Sequence, residues 1–175
     1  VVAFYSEALP DGIIAYIPMT VPKDAEIGTV YDIDFAFMNT FAVFGGPDLS
    51  NTVSMFSGSI TVVGDEPAVT SNTPAVTKFT PTSVTIPAHN APAIAVGKMN
   101  AKPGETVNVP VYIYCDNNLE SLHCWVGFDD ALKASAAVRG ELDAAIGSNV
   151  FDDGTVSVVA FYSEALPDGI IAYIP

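Results

Sequence analysis

The chain predicts an all-β fold, a sandwich of two sheets. Roughly nine short runs alternate apolar with polar residues at period two. Clusters of Gly, Pro, Asn and Asp separate those runs. Helical periodicity is almost absent, while half of the residues are apolar, which excludes a disordered chain.

The order of the strands is complicated by a duplication. Residues 1–18 read VVAFYSEALPDGIIAYIP, and residues 158–175 repeat them letter for letter. The offset of 157 residues is a comfortable length for one domain with a real core. The chain reads as slightly more than one period of a tandem array, or as a circularly permuted module that keeps one segment at both ends. Either way, residues 1–63 form the C-terminal part of a module, 64–90 a linker, and 91–175 the N-terminal part of the next. The sandwich is then expected to be completed from the two halves in permuted order.

Taken in order, the opening run of β-branched and aromatic residues precedes Pro10-Asp11-Gly12, after which Ile13, Ala15, Ile17 and Met19 alternate with their neighbours. The pattern predicts strand, turn, strand. Pro18 has no N–H for a ladder, which predicts an edge or a bend. Tyr31, Ile33 and Phe35 alternate with Asp32 and Asp34, a strand with one wet face. Residues 37–44 are apolar on both phases, and Gly45-Gly46-Pro47-Asp48 breaks them. Residues 53–56 and 59–63 are short strands, with Gly58 marking a bulge between them. Residues 64–90, rich in Thr, Pro, Ser, Ala and Val, read as an extended linker, or as one carrying a short edge strand at 84–86. Residues 94–99 form a strand and 102–105 a Pro-Gly turn. Val107, Val109, Val111, Ile113 and Cys115 then give the cleanest alternation in the chain. In the next strand Leu122, Cys124, Val126 and Phe128 face one way, and Ser121, His123, Trp125 and Gly127 the other. Residues 131–147 are Ala-rich enough for one short helical stretch, weakened by Gly140. Asp152-Asp153-Gly154 predicts a hairpin into the second copy of the repeat.

Six Lys and Arg against 20 Asp and Glu give a formal charge of −14. Such a surface repels nucleic acid and anionic membranes, and it suits solubility outside the cell, calcium, or a partner with basic contact residues. No apolar run approaches the ~18 residues of a membrane span. Cys115 and Cys124 do not match a CxxC pattern. They read as one disulfide of a secreted protein or as two small buried hydrophobes.

Several stretches resemble one family. AIAVGKMNAKPGETVNVPV (93–111), SLHCWVGFDDALKA (121–134), GTVSVVAFYSEALPDGIIAYIP (154–175), VPKDAEIGTVYDIDF (21–35) and GSITVV (58–63) together resemble a cohesin module of a cellulosomal scaffoldin. The resemblance covers nearly all of 91–175 and 19–63, and a Thr/Pro-rich linker accounts for the rest of the period. It implies a nine-stranded jelly roll, secreted or attached to the surface of a bacterium. It also implies a non-catalytic scaffolding module that binds dockerin modules of polysaccharide-degrading enzymes. No cofactor is expected, since the calcium of such a complex belongs to the dockerin. Carried over by motif, the dockerin contacts would be Ser121, His123 and Trp125 on one strand, Phe161, Ser163 and Glu164 on another, or their twins Phe4, Ser6 and Glu7. Asp48 and Leu49 would lie on a third. The outward phase of His123 and Trp125 points to the same face independently, because a Trp displayed on a rigid strand suits an interface anchor.

Nothing in the sequence has the spacing of a catalytic site: G-x-S-x-G, H-E-x-x-H and P-loop patterns are absent. Asp129-Asp130 and Asp152-Asp153 read as solvated turn carboxylates rather than a glycosidase pair. Two other functions compete. A carbohydrate-binding module would need a flat row of exposed aromatics. A structural subunit of a cell-surface filament would use the duplicated segment for strand exchange between chains.

Overall fold

The computed structural model describes residues 11–41, 52–64, 92–114 and 121–161. Twelve strands are formed among them: β1 Gly12–Thr20, β2 Val30–Phe41, β3 Ser54–Phe56, β4 Gly58–Val62, β5 Ala93–Val96 and β6 Lys98–Ala101, then β7 Thr106–Tyr114, β8 Ser121–Phe128, β9 Lys133–Ala134, β10 Val138–Arg139, β11 Ala145–Val150 and β12 Thr155–Phe161. They build two six-stranded sheets. The first runs β10-β1-β7-β5-β3, with β9 also on β1, and the second runs β11-β12-β8-β2-β4-β6. Both sheets mix strands from before and after residues 65–91. In the first, β1 lies against β7 from Gly12↔Ile113 to Thr20↔Thr106. In the second, β2 lies against β8 from Ile33↔Phe128 to Phe41↔Ser121.

The alternation read from the sequence decides which side chains meet between the sheets. From β7, Val107, Val109, Val111 and Ile113 are buried, and from β8, Leu122, Cys124 and Val126. Ile14, Ile17 and Met19 of β1 join Ile33, Ile60, Val156 and Val158 in the same core. Burying a side chain of this size contributes about 1.5–3 kcal/mol, so the two inner faces hold each other in place.

The chain changes sheets at glycine. β3 belongs to the first sheet and β4 to the second, and Gly58 opens β4. A Cβ there would lie 2.4 Å from the carbonyl oxygen of Gly97, where β5 gives way to β6. Gly58 therefore marks a crossover rather than the expected bulge, and the strand expected over 94–99 is two strands. The hairpin at 152–154 forms as expected. Gly154 has φ +79°, and the Phe151 N–H donates to the Thr155 carbonyl at 2.9 Å.

Two other expectations are corrected. Residues 131–147 hold no helix; they carry β9, β10 and the start of β11, because backbone pairing with β1 and β12 outweighs the helix preference of alanine. Of the repeat, residues 158–161 of the second copy are described in β12 of the second sheet and residues 12–18 of the first copy in β1 of the first sheet. Pro18 does not place β1 at an edge. The Pro18 carbonyl accepts from Ser135 N–H at 2.9 Å, on the side where β10 ends at Tyr16 and β9 begins at Met19. The missing proline N–H falls in the gap between those two short strands, where no ladder partner needs it.

Cys124 carries a free, buried thiol, as in the second of the two readings; Cys115 lies outside the described residues. Burial pushes the Cys124 thiol up to about 12. A raised acid value favours the protonated folded state. The stability linked to this thiol is thus present below its ordinary range and lost as the pH rises toward about 12. At about pH 8, iodoacetamide is expected to label Cys124 only after denaturation. Mass spectrometry after cleavage at Glu120 separates this residue from Cys115, and prompt labelling in native buffer would contradict the burial.

Candidate protein-docking face

The outer face of the second sheet collects the polar phase of β8 with its neighbours. Ser121, His123 and Trp125 point outward from this strand and are half-buried, while the residues between them are fully buried. β12 lies on one side, with Ser157 opposite Trp125 and Val159 opposite His123. β2 lies on the other, with Phe37 opposite Trp125 and Asn39 opposite His123.

A bulge decides what β2 contributes. Phe35 pairs with Val126 and Phe37 with Trp125, so Ala36 is the extra residue. Strict alternation from Asp32 and Asp34 would turn Phe37 inward; the additional residue turns it out, and its side chain is 42% exposed. Its ring then lies 5.3 Å from Trp125 and 5.6 Å from His123, centroid to centroid. On the far side Phe151, just beyond β11, lies 5.4 Å from Trp125. The result is a row, Phe37, Trp125, Phe151, crossing strands far apart in sequence. Each contact falls in the range where aromatic pairs attract.

Trp125 is fixed within this row. Its indole N–H donates to His123 Nε2 at 3.0 Å, which commits that nitrogen as an acceptor. The rings are tilted to one another by 49° and 43° rather than lying in one plane. Ser157, beneath the row on β12, is buried and pairs with Asn149. Its carbonyl accepts from Ser148 Oγ at 2.7 Å, which ties β11 to β12.

Carboxylates border the aromatics. Asp32 and Asp34 are exposed on the outward phase of β2, and Asp34 lies opposite Gly127, which has no side chain to cover it. The turns holding Asp129-Asp130 and Asp152-Asp153 meet at the same end of the sheet. A Cβ on Gly154 would be 3.5 Å from Asp130 Oδ1. These carboxylates do not converge: among the described residues, no group of three or more His, Cys, Asp or Glu is placed to hold a metal. No helix among them is long and apolar enough to cross a membrane. An apolar centre with an acidic border can exclude water from an apolar partner surface while attracting basic residues around it.

Of the residues singled out from the sequence, Ser121, His123 and Trp125 share this face. Phe161 ends β12 with its backbone paired to Ser121. Phe4, Ser6, Glu7, Asp48, Leu49, Ser163 and Glu164 lie outside the described residues. Sequence reasoning missed Phe37 and Phe151. The first was hidden by the bulge, although apolar residues on both phases of 37–44 were a signal that the alternation fails there. The second sits in a turn, where an aromatic beside Asp152-Asp153 was itself unusual. Compared with known proteins, the chain matches no family model, and no curated protein or solved structure matches it at a significant level.

Proposed function

We propose that this chain is a non-catalytic docking module, a permuted or tandem cohesin of the nine-stranded jelly-roll kind, working outside the cell. The outer face of its second sheet receives dockerin modules of polysaccharide-degrading enzymes. The observation that carries the proposal is the row Phe37, Trp125, Phe151 on a rigid sheet, with His123 and Ser121 beside it. The resemblance assigns the strand of Ser121, His123 and Trp125 to dockerin contact, and the aromatic row makes that strand the centre of an interface-like patch. The acidic border and the charge of −14 favour a partner with basic contact residues.

The tilt of the rings argues against the carbohydrate-binding alternative. A sugar stacks on a flat, open ring, whereas Trp125 is half-buried and flanked by its neighbours. The test is calorimetric titration with a panel of calcium-loaded dockerins, alongside retention on cellulose and xylan. Saturable binding of a dockerin class supports the proposal. Retention on polysaccharide with no dockerin bound overturns it.

A further inference from the structure

Each copy of the repeat contributes only half of itself to the described sandwich. β12 includes residues 158–161 of the second copy, and β1 includes residues 12–18 of the first. The sequence that β1 supplies, GIIAYIP, occurs again at residues 169–175.

The β1 position is demanding. Its first residue has φ +149° and would bring a Cβ within 2.7 Å of Leu142 Cδ2, so it takes glycine. Ile14, Ala15 and Ile17 are fully buried in it. The Tyr16 hydroxyl donates to Glu141 at 3.2 Å. Gly169, Ile171, Ala172, Tyr173 and Ile174 offer the same groups at the same spacing.

The second copy is also within reach. Backbone N–H groups of Glu141 and Leu142 donate to the Ile13 carbonyl, and Ala145 pairs with Phe161. Three residues of chain therefore separate the start of β1 from the end of β12. With a strand spacing of about 5 Å at each end, that places the two within roughly 20 Å. The chain from 161 to 169 extends to roughly 28 Å. Only residues up to Pro18 need to leave, because Met19 and Thr20 are held by β7 and β9 in either case. The Pro175 carbonyl would then take the place of Pro18 toward Ser135 N–H.

We infer that the β1 position is a strand-acceptor site with two interchangeable occupants in one chain, residues 12–18 and residues 169–175. The inference concerns closure of the sandwich and is independent of what the second sheet docks. A short connection gives the internal second copy an effective concentration on the order of millimolar. At micromolar protein it therefore outcompetes the same segment of another chain.

Three full-length variants test this by thermal unfolding and sedimentation velocity: Ile14→Asp, Ile171→Asp and the double variant. Ile14→Asp and Ile171→Asp are each expected to keep the cooperative transition of the parent and to sediment as it does. The double variant is expected to lose the transition. If Ile14→Asp alone unfolds the chain, residues 169–175 do not fill the site and the inference fails. It fails equally if the double variant stays folded. A rescued Ile14→Asp chain that forms a concentration-dependent dimer would move the second occupant to another molecule and overturn closure within one chain.

Discussion

Replacing Trp125 by alanine is expected to weaken partner binding at least about 30-fold, near 2 kcal/mol or more, as for a central interface anchor. The indole is the shared neighbour of Phe37 at 5.3 Å and Phe151 at 5.4 Å, so its truncation splits the row into two isolated rings. It also strands His123 Nε2, which loses its donor. The fold should survive, because Trp125 points away from the core that Cys124 and Val126 enter. Trp125→Phe keeps a ring between the two phenylalanines and removes only the N–H. Its loss should stay under about tenfold, about 1.4 kcal/mol. Calorimetry on the parent and both variants checks the ranking. Equal affinity for parent and Trp125→Ala would remove the row from the interface.

Ile33→Ala should cost the fold about 3 kcal/mol, within the range of buried Ile truncations, and lower the midpoint by on the order of 10 °C. Ile33 is fully buried in β2, with Phe128 of β8 on one side and Gly58 of β4 on the other. Its side chain lies where strands from both halves of the chain converge. Gly58 cannot grow to fill the space, since a Cβ there meets backbone oxygen at 2.4 Å. The cavity therefore remains open, which places the loss well above that of a collapsible site. Chemical denaturation read by the single Trp measures it. A change under about 1 kcal/mol would mean that this junction is loosely packed.

The sequence made some strands plain and concealed others for identifiable reasons. β7 and β8 alternate in sequence, and their buried residues fall where period two puts them except at Pro110, which is buried on the outward phase of β7. β2 begins the same way, but one extra residue at Ala36 reverses the phase. Alternation carries no mark of a bulge, so Phe37 stayed hidden. β9 and β10 are two residues each and exist because β1 offers them backbone partners. Such pairing is tertiary and leaves no local pattern. The turn chemistry of Pro10-Asp11-Gly12 says that the chain reverses without saying into which sheet it goes. Ser121, His123 and Trp125 were legible because phase alone places them on one face. That this face becomes an aromatic row depended on β2 and on the turn after β11, which only the folded register brings alongside.

Strands from the two halves of the chain meet to build one face, and the single indole reports on it directly. In solution, nuclear Overhauser contacts from the Trp125 indole N–H and ring protons should reach the rings of Phe37, Phe151 and His123. Contacts from Trp125 to His123 alone, with neither phenylalanine, would mean that β2 and the 151 turn do not flank β8, and the aromatic row would not exist.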